Sequence, residues 1–244
     1  MCRYKIIIQY DGSKYNGWQL QPNVITIQGV LETGIRKVFR NNDKLNLYGS
    51  GRTDSGVHAW GQVAHIDLST RLNVKDMKNA LNANIPDDCR IIAIEKVEKN
   101  FHARYAALKR YYRYQCYTGN SILYRNQSWE LPKLNIDCLN NLSEQLVGTH
   151  DFLSFCKYRS ELIDTVCEIF HSRWSFEDNM IIFKISANRF LHHMIRYLVG
   201  TMVAVYNGRF KEHEFLSLLK NPRKNVKIFK APPQGLILEK IDYV

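Results

Sequence analysis

The chain lacks most of the devices that would assign it to a class at once. No apolar run approaches the roughly 18 residues a spanning helix needs, so an integral membrane protein is not expected. The first ten residues, Met1 to Tyr10, carry no apolar signal region with a cleavage site and read as a strand. None of the six cysteines (Cys2, Cys89, Cys116, Cys138, Cys156 and Cys167) forms a C-x-x-C pair or stands at metal-ligand spacing from a histidine. They read as reduced, mostly buried thiols of a cytoplasmic protein. There is no H-E-x-x-H and no G-x-x-x-x-G-K-[ST], so neither a metalloprotease helix nor a nucleoside-triphosphate loop is expected. Pro- or Ser-rich linkers, low-complexity tracts and internal repeats are missing too. Acidic residues are in deficit: 23 Asp and Glu face 34 Lys and Arg, a net charge of +11 over 244 residues. That surplus favours polyanionic partners, nucleic acid ahead of anionic membrane.

What is present is an alternation of strand and helix patterns. Tyr4 to Tyr10, Leu45 to Tyr48, Gln62 to Leu68 and Ile91 to Val97 read as strands. Ile27, Val30, Leu31, Ile35, Val38 and Phe39 recur at helical spacing behind Thr26 as N-cap, and Val74 to Asn82 repeats the pattern behind Asn73. A second set begins near Ala106. Tyr111 to Tyr117 is an aromatic strand, and Ile136 to Val147 a helix ending at Gly148. Ile169 to Phe176 and Met180 to Ala187 form a hairpin. Phe190 to Tyr206 is a long helix, Glu212 to Leu219 a short one, and Leu236 to Ile241 a closing strand. The expectation is an α+β protein of two related halves, 1–105 and 106–244. Mixed or antiparallel sheets are flanked by helices, and the active-site cleft lies between the halves.

The densest chemical signal is Gly49-Ser50-Gly51-Arg52-Thr53-Asp54-Ser55-Gly56-Val57-His58. Its glycines allow a backbone that other residues could not follow, and they frame one guanidinium and one carboxylate two residues apart. Taken alone, a Gly-rich turn with a surface Arg/Asp pair explains it, since Asp is common in turns.

Gly51 to His58 resembles the catalytic motif of the tRNA pseudouridine synthase A family. Further stretches follow in that family's order. Tyr10-Asp11-Gly12, Gly17-Trp18-Gln19, Thr26-Ile27-Gln28-Gly29 with Leu31-Glu32, Leu81-Asn82 and Pro86-Asp87-Asp88 come first. Phe101-His102-Ala103-Arg104, Arg110-Tyr111-Tyr112-Arg113-Tyr114 and His150-Asp151-Phe152 come next. Phe190 to Arg196 with Val199-Gly200, and Ala231-Pro232-Pro233-Gln234-Gly235-Leu236, complete the set. Two departures stand out: the segment from Phe155 to Ile169 is shorter than the family's, and Cys167 occupies a place where a basic residue is expected.

The resemblance implies isomerisation of uridine to pseudouridine in tRNA, at positions 38, 39 and 40 of the anticodon arm. It also implies a cytoplasmic homodimer that needs no cofactor and no metal. It makes Asp54 the catalytic carboxylate, adding to C1′ as a nucleophile or removing a ribose proton to give a glycal. Arg52 and Arg196 would keep Asp54 ionised and oriented. Tyr112 would stack on the uracil and assist proton loss from C5, with Leu236 against the base. Arg104, Lys109, Arg110 and Arg113 are the candidates for contacts with the tRNA backbone. A catalytically silent RNA-binding protein on the same scaffold, or a different target uridine, are the rival readings.

Overall fold

The computed structural model describes residues 1–39, 45–119, 121–132, 134–158 and 164–243. The chain is α+β and divides into two compact units, Met1–Leu108 with Leu238–Val244, and Lys109–Ile237.

The first unit is built on antiparallel pairing of β1 (Cys2–Tyr10) with β3 (His58–Leu68) on one side and β4 (Cys89–Val97) on the other. Alternation along β1 buries Tyr4, Ile6, Ile8 and Tyr10, the residues that a period of two sends to one face. Ile6 stands opposite Ala64 in β3 and Ile94 in β4, which sets the register. A short β2 (Tyr48–Gly49) pairs with β3, and β10 (Leu236–Asp242) neighbours β3 on its far side. The strand expected from Leu45 is paired only from Tyr48 onward.

Helix α1 (Ile27–Val38) starts where Thr26 Oγ1 accepts the Gly29 N–H at 3.2 Å. It buries Ile27, Leu31 and Ile35. A Cβ on Gly34 would come within 2.5 Å of Ile85 Cγ2, so only glycine allows α1 to lie this close to the 84–85 turn. Helix α2 (Val74–Asn82) is capped by Asn73, whose Oδ1 accepts from Asp76 N at 2.9 Å. Its last residue, Asn82, exchanges two hydrogen bonds with the backbone of Ile91 in β4, at 2.8 and 2.9 Å. That amide ties helix to sheet and gives the Leu81-Asn82 motif a structural role.

The second unit orders its strands β5 (Lys109–Tyr117), β9 (Met180–Ala187), β8 (Val166–Glu177) and β7 (Gly148–Asp151), all antiparallel; β6 (Trp129–Glu130) adds parallel to β5. Trp174 and Phe183, with ring centroids 4.9 Å apart, lie at the centre of its core. Helices α3 (Ile136–Glu144), α4 (Met194–Tyr206) and α5 (Glu212–Lys220) complete it.

Two helix boundaries differ from expectation. α3 ends at Glu144, three residues early, and Gly148 at φ +108° opens β7 instead of closing the helix. α4 begins only at Met194, because His193 takes a left-handed backbone (φ 64°, ψ 1°) that a helix cannot pass through. His192 and His193 therefore do not share a helix face with Arg196. Among the described residues no helix is long and apolar enough to cross a membrane.

Candidate active site

In the first unit the loop from Gly49 to His58 links β2 to β3 and is braced by the segment from Asp11 to Trp18. Gly12 and Gly17 make that bracing possible. A Cβ on Gly12 would fall 2.0 Å from Val57 O, and one on Gly17 (φ +86°) 2.6 Å from Thr53 O. Across the seam Trp18 N donates to Thr53 O at 3.1 Å, and Ser55 Oγ and Gly56 N both reach Tyr15 O. Thr53 Oγ1 and the Tyr10 hydroxyl are 2.8 Å apart and buried. Val57 N closes a turn on Asp54 O at 3.2 Å, with Gly56 at φ +77° in the position that prefers glycine in a type II turn. Gly12 N donates to Nδ1 of the buried His58, and Gln62 Nε2 holds Gly51 O. Asp54 is thus half-buried on a backbone fixed on both sides by hydrogen bonds. Asn, Ser or Thr side chains could not replace the two glycines without clashing.

Arg52, exposed on this loop, is held by a chain of amides that sequence reasoning did not single out. Its Nε donates to Gln19 Oε1 at 3.2 Å, Gln19 Nε2 to Gln28 Oε1 at 2.9 Å, and Gln28 Nε2 to Glu32 Oε1 at 2.9 Å. Arg36 ends the chain on Glu32 Oε2 at 3.0 Å. Each amide gives its oxygen to one neighbour and its nitrogen to the next, so donation runs one way from Arg52 to Glu32, the carboxylate to which Arg36 donates from the other side. The signal was available. Gln28, Leu31, Glu32 and Ile35 follow the i, i+3, i+4, i+7 spacing of a buried stripe, and all four are buried. Two polar residues in such a stripe need partners, and here the partners lead to the loop.

In the second unit, β5 carries Tyr112 and Tyr114. Tyr112 is half-buried, with its ring meeting Phe190 edge-on at 5.3 Å and 85°. Tyr114 is fully buried and its hydroxyl donates to Pro232 O at 2.8 Å. Burial pushes that hydroxyl's pKa well up, so it stays a donor. A Cβ on Gly235 would sit 2.7 Å from the Tyr114 ring, so the Pro232–Gly235 turn rests directly on it. Leu236, buried, follows at once as the first residue of β10.

α4 grips the same C-terminal segment from another side. Arg196 is buried; its Nε donates to Ala231 O, and its own carbonyl accepts from Ala231 N, both at 2.9 Å. One turn on, a Cβ on Gly200 would lie 2.5 Å from Phe229 O, and Thr201 Oγ1 accepts from Phe229 N at 3.3 Å. The spacing Arg196, Gly200, Thr201 is therefore a cradle for residues 229–231.

The basic candidates differ in surroundings. Arg104 is exposed, in the first unit. Lys109 Nζ lies 4.9 and 5.0 Å from the ring centroids of Tyr111 and Phe170. Arg110 donates to Asn188 O. Arg113 pairs with Glu177 at 2.8 Å with only 11% of its side chain exposed, a strand-face ion pair that Lys184 shares. Cys167 is a buried β8 residue, and 159–163 of the shortened stretch lie outside the described residues. Burial also pushes the thiols of Cys89 and Cys156 up, to about 12 and about 11, as inert core cysteines require.

A family model described as tRNA pseudouridine synthase matches residues 6–106 and 142–244, and the chain belongs to that family. Its relatives include a tRNA pseudouridine synthase A of Thermoanaerobacter sp. (strain X514), 37% identical over the whole of both chains. A protein of the same name from Exiguobacterium sibiricum is 38% identical over 100% of this chain and 97% of its own length. Another, from Bacillus subtilis (strain 168), is 34% identical over 99% of each. The chain is accordingly an isomerase that converts uridine to pseudouridine.

Proposed function

We propose that this chain isomerises uridines 38, 39 and 40 in the anticodon stem-loop of tRNAs, as a cytoplasmic homodimer. Asp54 is the catalytic carboxylate, and Arg52, Tyr112, Arg196 and Leu236 contact the substrate uridine. Arg104, Lys109, Arg110 and Arg113 serve the tRNA backbone. The two sequence halves, 1–105 and 106–244, divide the work: the first supplies Asp54 and the second completes the substrate site. The observation that carries the reading is the bracing of the Asp54 loop by Gly12, Gly17, Tyr10 and Trp18, a rigid mount for one half-buried carboxylate.

The reaction breaks the N1–C1′ bond, turns the uracil, joins C5 to C1′, and moves a proton from C5 to the ring nitrogen. Asp54 either forms a bond to C1′ as N1 leaves, a bond that breaks again when C5 attacks C1′, or takes the C2′ proton as N1 leaves and returns it to C2′ when C5 adds to C1′. The Tyr112 hydroxyl is the candidate for accepting the C5 proton. The uridine reaches these groups by leaving its stack.

Two measurements test this. Pseudouridine mapping in tRNA from cells with and without the gene should show loss at 38, 39 and 40; loss elsewhere would overturn the positional claim. Single-turnover conversion of an anticodon stem-loop transcript by Asp54→Asn should fall by more than the roughly 10²–10⁴-fold typical of losing general acid–base help, with binding kept. A tenth of wild-type turnover remaining would show that Asp54 is not the catalytic group.

A further inference from the structure

The Phe101-His102-Ala103-Arg104 motif enters the proposed function only through Arg104, yet it organises the most exposed Phe, Tyr or Trp side chain among the described residues. Tyr105 is 76% exposed. Its ring lies 4.4 Å from that of His102, which lies 4.6 Å from the fully buried His65; Tyr48 stacks on His65 at 5.1 Å and 16°. The four rings form one cluster around the buried His65, with Tyr48 and Tyr105 both reaching the surface of the first unit. Backbone donors lock the two imidazoles. Ala103 N donates to His65 Nδ1 at 3.1 Å, and Arg104 N donates to His102 Nδ1 at 3.2 Å. Burial, the neighbouring His102 and Arg3 hold His65 down to about 4, and burial with Arg3 and Arg104 lowers His102, so both rings are uncharged at neutral pH.

A tyrosine ring presented to water from a neutral aromatic cluster, tilted 36° against His102, is costly to hydrate and cheap to cover. The Arg104 guanidinium, its Cζ over the ring at 5.7 Å from the centroid, is a cation within reach of whatever covers it. A flat π-face beside a guanidinium matches a nucleotide: base on the ring, phosphate on the arginine. The chain's +11 charge favours the same partner.

We infer that Tyr105, backed by His102 and flanked by Arg104, is a stacking site for an unpaired nucleobase of the RNA substrate. This rests on the proposed tRNA activity and names a second point of contact for the same RNA.

The test is equilibrium binding of an unmodified tRNA transcript to the full chain over a range of salt, with turnover of the wild type and sedimentation of each variant in parallel. Tyr105→Ala should weaken binding about tenfold without changing the salt slope, as expected for a lost stacking contact. Tyr105→Phe should bind within twofold of wild type, and Tyr105→Leu should be as weak as alanine, since it keeps apolar area but has no π-face. Arg104→Ala should instead reduce the salt slope by about one. Unchanged binding by Tyr105→Ala, or full binding by Tyr105→Leu, overturns the inference. So does a change in oligomeric state in Tyr105→Ala, which would make the ring a protein interface. A wild type that makes no pseudouridine sinks the proposed function as well, whereas an active wild type with a silent Tyr105→Ala sinks only the stacking site.

Discussion

Gln19→Met is the perturbation that separates the amide chain from the fold it sits in. Methionine has nearly the volume and flexibility of glutamine, and Gln19 is half-buried, so packing changes little. Two hydrogen bonds vanish: the one Gln19 accepts from Arg52 and the one it donates to Gln28. Gln28 Oε1 still accepts from Leu20 N at 3.1 Å and Gln28 Nε2 still donates to Glu32, so no buried group is left without a partner. The stability cost should therefore be about 1 kcal/mol or less. Arg52, in contrast, loses the acceptor that aims it. A hydrogen bond to a charged group is worth about 1.5–3 kcal/mol where water is excluded, and less than about 1 kcal/mol in a solvated loop.

If the RNA covers the loop during the reaction, the larger range applies, and single-turnover conversion should fall between about 10-fold and about 100-fold. The affinity for tRNA should change less than twofold, because the charge of Arg52 remains. Arg52→Ala and the double variant complete a cycle: once Arg52 is gone, Gln19→Met should cost nothing further. Full turnover by Gln19→Met, or strict additivity with Arg52→Ala, would refute the view that the amide chain positions this arginine. Gln28→Met is the contrasting case. It removes four hydrogen bonds from a buried position, taking from Gln19 Nε2, Leu20 N, Leu47 O and Glu32 Oε1 the partner that Gln28 gives each. It should lower stability by about 2–4 kcal/mol, seen as a fall in Tm.

Two other outcomes follow from the geometry. Tyr112→Phe keeps the ring edge against Phe190 and removes the hydroxyl, so turnover should drop while tRNA binding stays near normal; unchanged turnover would leave Tyr112 a packing and stacking residue. His65, held at about 4 against an ordinary 6.5, takes up its proton more readily when unfolded, so stability is full above pH 6.5 and is lost as pH falls toward 4. The loss is at most about 3 kcal/mol and should be visible as a falling Tm; His65→Gln should flatten that slope, and an unchanged slope would mean other groups set it.

The parts of this molecule that sequence reveals are those where one residue type is the only physical solution. Gly12, Gly17 and Gly56 stand out in the sequence because a Cβ would strike Val57 O, strike Thr53 O, or strain a φ of +77°. Thr26 and Asn73 announce helices because each fills an N-cap with its own side chain. Legibility fails where the local pattern is honest but incomplete. Phe190 to Tyr206 keeps its helical spacing, and nothing in a histidine warns that His193 turns left-handed at φ 64°. Gly148-Thr149-His150-Asp151 is too short and too polar to read as a strand, and becomes β7 only because β8 lies beside it. Gln28 and Glu32 are the most instructive case. As isolated polar residues on a helix they suggest solvent, but their i, i+4 spacing within the stripe of Leu31 and Ile35 puts both in the core. Burial there is tolerated only because each finds a partner, and the partners lead through Gln19 to Arg52. A polar residue in a buried stripe is thus a pointer to what it must touch, and in this chain it points at the loop that carries Asp54.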